Sequence, residues 1–374
     1  MIKVGILTSS RADYGIYKPL LKALSKDGDF DVGLIVFGTH LSKLHGYTVK
    51  EIEGDGYRIV QRIESLLLGD SPNSIASSYA LTAQKFSDYW QNYSKQFDVI
   101  IALGDRFEMA AAIAASLPYG IEIAHIHGGE TTLGAIDNVY RHSISLASKL
   151  HFVAAYEFKH RVERLLGQDF NENIHHVGSL SLENLESVEI PSIQEFREKW
   201  NINLTKDTIL ATIHPETVEY DRNEFYAEQV IRAFEELSRR YQIVITMPNA
   251  DTNGLIYREK FNQLAENNMN IHLIENFGIA GYFACMTYSK LMIGNTSSGI
   301  IEAASLKRYV INIGDRQKGR LSGKNVLSIP FDADLITSLA MECLGREYNG
   351  ENPYYQPKPS DKILAILKRH YGKL

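Results

Sequence analysis

The sequence predicts an α/β protein made of two doubly wound, parallel-sheet domains. Three observations carry the prediction. Short β-branched runs alternate with longer helical stretches along the chain. The runs are apolar almost throughout rather than at every second residue, as strands covered on both faces are. The alternation then restarts after a polar stretch, "GSLSLENLESVEIPSIQEF", which contains Pro191 and reads as a linker. A length of 374 residues also suits two domains better than one.

In the first half the expected strands are Ile2–Thr8, Val32–Phe37, Val99–Leu103, Ile121–Ile126 and Leu150–Val153. Each is too short and too β-branched for a helix. The stretches Ile16–Ser25, Ser74–Gln96, Phe107–Leu117, Asp137–Ser148 and Glu157–Leu166 follow them in turn as helices. In the second half the strands are Thr208–Ile213, Gln242–Met247, Ile271–Ile274, Leu291–Ile293 and Val310–Ile313. Glu224–Arg239, Leu255–Glu266, Ile279–Cys285 and Gly299–Leu306 are the helices between them. Such alternation is the Rossmann-like pattern. The tail carries three prolines and then an amphipathic helix, Asp361–His370, which can pack back on either domain. The expected division is residues 1–172, residues 173–355 and a C-terminal segment, 356–374, returning to the first domain.

Composition narrows the function. With 44% hydrophobic and 22% charged residues the chain can fill two cores. A net charge of −6 without any basic block argues against a nucleic-acid partner. No apolar run approaches the ~18 residues of a membrane span. The opening "MIKVGILTSSR" is too short and too soon polar for a signal peptide. Cys285 and Cys343 stand singly, as buried free thiols in a reducing compartment do. A cytoplasmic protein is expected.

In parallel α/β sheets ligands bind beyond the carboxyl ends of the strands, so the polar residues there are the candidates. The first strand ends in "TSSRADYG". Ser9, Ser10 and Asp13 suit a turn or a helix cap. Arg11 is either a surface cation or a grip on an anion. GxGxxG is absent, so no dinucleotide fingerprint is present. Asp105 follows "VIIALG"; it suits an ion pair with Arg106, a cap for the next helix, or an acid/base group. "AHIHGGETTLGAIDNVYRH" places His125 and His127 two apart, on one face of an extended strand. A metal would need a third ligand, for which Glu130 is conceivable, but no metal is expected. Asp137 suits a helix cap or catalysis equally.

In the second half "LATIHPET" puts His214 directly after a strand, as a structural or a reactive histidine. "MIGNTSSGIIEAASL" offers Asn295, Thr296, Ser297, Ser298 and Gly299 between a strand and a helix, either a cap or a place for phosphate. Glu302 is expected in that helix's first turn, within reach of a ribose. "NIGDRQKGR" adds Arg316, Lys318 and Arg320. The tripeptide GDR follows a strand in each half. One half thus offers phosphate-binding features and the other carboxylates and histidines. Two such domains facing across a cleft describe a nucleotide-sugar enzyme of the glycosyltransferase-B architecture.

"SSRADYG", "LGDRFE", "AHIHGGE…GAIDN…RH", "HPET", "GNTSSGIIEAASL" and "GDRQKGR" together resemble the hydrolysing UDP-N-acetylglucosamine 2-epimerases. That family includes bacterial sialic-acid pathway enzymes and the epimerase half of a bifunctional animal enzyme. The motifs run in order from Ile2 to about Val326; singly they are common, in register they are specific. The resemblance implies that UDP-N-acetylglucosamine and water become N-acetylmannosamine and UDP. The C2 proton leaves as UDP departs from C1, giving 2-acetamidoglucal, to which water adds. It implies no cofactor, and a homodimer or homotetramer. Carried over, Arg11, Thr296, Ser297, Ser298 and Arg316 meet the diphosphate, Glu302 the ribose, and the Asn276–Phe277 stretch the uracil. Asp105, Asp137 and His214 match acid/base positions. Several relatives read HIEGGE where this chain reads HIHGGE, so His127 or Glu130 stands in for a catalytic carboxylate. The alternatives are the same chemistry on a UDP-2,4-diacetamido-2,4,6-trideoxyhexose, a non-hydrolysing epimerase, a glycosyltransferase, and a non-catalytic UDP-sugar sensor.

Overall fold

The computed structural model describes all residues except 70, 134–135, 168–171, 217–219, 249–253, 267 and 373–374. Strands β1 (Ile2–Thr8), β2 (Phe30–Phe37), β3 (Ile59–Ile63), β4 (Val99–Leu103), β5 (Ile123–Ile126), β6 (Leu150–Val153) and β7 (Ile174–His176) form one sheet, ordered β3-β2-β1-β4-β5-β6-β7. Strands β8 (Thr208–Thr212), β9 (Gln242–Thr246), β10 (Ile271–Ile274), β11 (Leu291–Gly294), β12 (Val310–Ile313) and β13 (Val326–Ile329) form a second, ordered β10-β9-β8-β11-β12-β13. Every pairing is parallel. The strand order reverses between β1 and β4 in the first sheet and between β8 and β11 in the second. These are the topological switch points, beyond whose carboxyl ends doubly wound sheets bind ligands.

Both faces of each sheet are covered. On one face of the first lie Tyr14, Tyr17, Leu20 and Leu24 of the helix Arg11–Lys26, with Ile363 and Leu367 of the helix Pro359–Tyr371. On the other lie Phe86 and Trp90, Met109 and Ile113, and Ile144. The second sheet is covered by Tyr226, Val230 and Phe234 on one side and by Phe196, Phe277 and Met286 on the other. Burying one such side chain fully contributes about 1.5–3 kcal/mol, so the strands are held by their covering helices.

The chain divides into two compact units. The first is Met1–Glu130, Asp137–Asn184 and Tyr354–Leu374; the second is Thr131–Ile136 and Leu185–Pro353. Three expectations need correction. The boundary expected at 172/173 lies further on, because β7 adds a seventh strand to the first sheet. The supposed linker is two helices, Leu180–Ser187 and Ile193–Trp200, the second started by a capping box between Ser192 and Glu195. And Thr131–Ile136 leaves the first unit: the Leu133 N–H donates to the Lys318 carbonyl oxygen at 2.8 Å. The C-terminal helix packs on the helix Arg11–Lys26 of the first unit, with Lys368 paired to Asp27 and Asp29. Among the described residues no helix is long and apolar enough to cross a membrane.

Candidate functional site

The turn after β1 is organised by Asp13. Its carboxylate accepts from the Ser9 N–H and hydroxyl at 2.9 Å each and from the Ser10 N–H at 3.1 Å, and Ser10 caps the helix in return. Burial alone would raise the Asp13 carboxyl, but the hydrogen bond and charge of His40, with help from Thr8 and Ser9, hold it below its ordinary value. Because these N–H groups face Asp13, the turn is not an open anion nest. Arg11, exposed in the first helical turn, is its available cation.

At the switch point, β4 is followed by Gly104, whose φ of +81° turns the chain so that Asp105 stands beyond the strand's carboxyl end. Asp105 neither caps the next helix nor pairs with Arg106, which forks onto Glu108 instead. It pairs with Arg141, from the helix Asp137–Ala147. The other arm of that guanidinium donates to the His127 carbonyl oxygen at 3.0 Å and lies 3.5 Å from Glu130 Oε2. Glu130 Oε1 in turn meets His127 Nδ1 at 2.7 Å. Four side chains therefore form one relay, His127–Glu130–Arg141–Asp105.

The two histidines do not share a strand face. His125 is in β5, whereas His127 lies beyond it at φ +64°, in the left-handed region. His125 is wholly buried and both ring nitrogens are engaged, with the Gly104 carbonyl at 2.8 Å and the Ser145 hydroxyl at 3.0 Å. Burial drives its pKa from the ordinary 6.5 to about 3, so it is a neutral structural residue with no free nitrogen for a metal. Among the described residues no three His, Cys, Asp or Glu groups gather to hold a metal ion. Asp137 is the first residue of its helix rather than the cap before it, one turn ahead of Arg141 on the same face.

In the second unit β11 ends at Gly294, where a Cβ would stand 2.0 Å from the Thr212 carbonyl oxygen. This close approach puts Asn295 beside His214, and its side chain holds His214's backbone N–H and carbonyl. Thr296 caps the helix Ser297–Ile301 through the Ser298 N–H; Ser297 is exposed and Ser298 half-buried. Being only five residues long, this helix ends at Glu302, which is its C-cap and not part of its first turn. Arg316 follows Gly314, whose φ of +78° repeats that of Gly104 in the other GDR turn. The buried Glu216 carboxylate accepts the N–H groups of Asp315 and Arg316 at 3.0 and 3.1 Å, and the Arg316 guanidinium donates to the Pro215 carbonyl oxygen. Burial pushes the Glu216 carboxyl up despite these bonds. Asn276 is exposed and accepts the Gly278 N–H. The Phe277 ring is buried against Phe196 and Trp200 at 5.3 and 5.4 Å, so this stretch presents backbone rather than an aromatic face.

Arg141 and Glu216 were not expected from the sequence as functional residues, and Asn295, expected beside the phosphate-binding hydroxyls, is instead buried with its side chain engaged by the His214 backbone. The available signals were small: Arg141 sits one turn after Asp137 within "GAIDNVYRH", and Glu216 lies within "HPET".

A family model described as UDP-N-acetylglucosamine 2-epimerase matches residues 22–368. Polysialic acid biosynthesis protein P7 of Escherichia coli is 33% identical, over 98% of this chain and 94% of its own length. UDP-N,N'-diacetylbacillosamine 2-epimerase (hydrolyzing) of Legionella pneumophila is 32% identical, over 98% and 95%. Among solved structures, UDP-GlcNAc 2-epimerase from Neisseria meningitidis bound to UDP-GlcNAc superposes with a TM-score of 0.79 at 17% identity, over 98% of this chain and 100% of that one. At that identity the likeness bears on the fold alone.

Proposed function

The chain belongs to the UDP-N-acetylglucosamine 2-epimerase family, and from that premise we propose that it converts UDP-N-acetylglucosamine and water to N-acetylmannosamine and UDP, on a route to sialic acid or a related sugar acid. It is an enzyme, a hydrolysing 2-epimerase of a UDP-amino sugar. The observation that carries the residue assignment is Asp105: a carboxylate with 26% of its side chain exposed, at the end of β4 where the first sheet reverses.

The C2 hydrogen of the sugar is weakly acidic, so a base must take it as the C1–oxygen bond breaks. Each positioned acid or base supplies roughly 10²–10⁴-fold. In this reading Asp105, Asp137 and His214 handle protons, with His127 and Glu130 behind Asp105. The departing diphosphate gathers charge that Arg316, Arg11 and the Thr296–Ser298 turn meet with donors. Glu302 serves the ribose, and the backbone at Asn276–Phe277 the uracil. A cytoplasmic site of action belongs to the same proposal, supported by two free buried thiols. So does a homodimer or homotetramer, supported by Val139 and Leu146, both exposed and seven residues apart on one helix.

A second reading keeps the chemistry and changes the sugar to a UDP-2,4-diacetamido-2,4,6-trideoxyhexose; the name of the Legionella relative, at 32% identity, favours it. Proton NMR of each UDP-sugar with the enzyme in D₂O separates the readings. Free N-acetylmannosamine carrying deuterium at C2, with free UDP, is expected from UDP-N-acetylglucosamine. Turnover of the diacetamido sugar alone would move the substrate to the second reading. Intact UDP-N-acetylmannosamine without UDP release would rule out hydrolysis.

A further inference from the structure

The relay around Arg141 has one outer end. Asp105 is 26% exposed, whereas the side chains of His127, Glu130 and Arg141 are 7%, 1% and 2% exposed, and His127 Nε2 is buried. A buried guanidinium or carboxylate is strongly unfavourable unless its partners are close and well oriented. The Arg141 fork meets acceptors from two strand ends: Asp105 after β4, and the His127 carbonyl and Glu130 after β5. Its position one turn after Asp137 also fixes the start of that helix relative to Asp105. A lysine would carry the same charge but presents a point charge rather than a planar fork.

We infer that Arg141 is a positioning residue for Asp105, and that His127 and Glu130 serve the same end by fixing the guanidinium rather than by touching the sugar. The inference rests on the reading of Asp105 as a proton-handling group. It assigns no proton transfer to the imidazole, whose Nδ1 faces Glu130 and whose Nε2 has no exposed surface.

The test uses the full chain and three readouts: UDP release, deuterium uptake at C2, and the dissociation constant for UDP. Arg141→Lys is expected to lower kcat about 10–100-fold, the scale of a small misplacement of a reacting group, with the UDP dissociation constant within about threefold. If Arg141 acts through Asp105, the Arg141→Lys/Asp105→Asn double variant is no slower than Asp105→Asn alone, since coupled residues are not additive. A further tenfold loss in the double variant would overturn the inference. His127→Asn tests the other end of the relay and does not depend on Arg141→Lys folding. Asparagine tolerates the left-handed backbone and carries a side-chain N–H donor that can face Glu130. Acting only through Arg141 and Asp105, it should lower kcat less than Arg141→Lys does and add nothing to the loss in an Asp105→Asn background. A loss beyond about a hundredfold at unchanged UDP affinity would place the imidazole in the chemistry and defeat the inference. Wild-type enzyme that releases no UDP from either UDP-sugar would instead refute the parent reaction.

Discussion

Asn295 clasps the backbone of His214 from both sides: its side-chain oxygen accepts the His214 N–H at 2.7 Å, and its amide donates to the His214 carbonyl at 2.8 Å. The two residues lie just beyond the ends of the neighbouring strands β8 and β11 at the second switch point, and Asn295 is wholly buried. Asn295→Asp keeps the acceptor but turns a carboxylate toward a carbonyl. Leaving a buried group unpaired costs about 1–3 kcal/mol. Urea unfolding should report a loss of about 2 kcal/mol, and kcat should fall at least tenfold because His214 is displaced. Normal kcat in the folded variant would remove His214's placement from the mechanism.

Asp105→Asn is expected to separate binding from chemistry. The amide is nearly isosteric but is a poor base, so turnover should drop roughly 10²–10⁴-fold. UDP affinity by calorimetry should stay within about threefold, because the phosphate contacts assigned here come from other residues. Turnover near the wild-type rate would exclude Asp105 as a proton-handling group.

What could be read from the sequence followed burial. All ten expected strands are present, and the missed ones, β3, β7 and β13, are edge strands with half-exposed residues. An edge strand need not be apolar throughout, so its run is short and mixed. Site residues followed the same logic, since polar groups directly after an apolar strand stand out. What stayed hidden was pairing. Arg141 meets Asp105 across 36 residues, Asn295 meets His214 across 81, and Glu216 meets Arg316 across 100. No local period or spacing encodes such contacts. The same limit explains why Asp105 beside Arg106 suggested a pair that the chain does not make.

Arg316→Ala should weaken UDP binding. A cation–phosphate contact is among the stronger hydrogen bonds, and an increase of about 10–100-fold in the dissociation constant corresponds to about 1.4–2.8 kcal/mol. The variant also loses the bond to the Pro215 carbonyl oxygen, so the melting temperature must be measured alongside. The Glu216 carboxylate bonds the backbone N–H of residue 316, which alanine retains, so the loop should keep its course. An unchanged dissociation constant would discredit the phosphate role.

Stability should fall on the acid side because burial holds several histidines neutral, His125, His151 and His175 most strongly. Burial lowers His125 from 6.5 to about 3 and His151 from 6.5 to about 4. In the unfolded chain these imidazoles take up protons near pH 6.5. Below that pH the unfolded state therefore binds more protons than the folded one, and folding stability drops as pH falls. The stabilisation is fully present above pH 6.5 and is lost progressively toward the folded values, with each imidazole contributing up to about 1.4 kcal/mol per pH unit. Urea midpoints should thus be flat above about pH 7 and decline steeply from pH 6.5 to 4. His125→Gln retains an amide donor for the Gly104 carbonyl and removes one of these titrations. Its stability at pH 7 should be lower, but its decline between pH 6.5 and 4 should be shallower by about 1.4 kcal/mol per unit. An unaltered slope in that variant would show that His125 is not protonated differently in the two states.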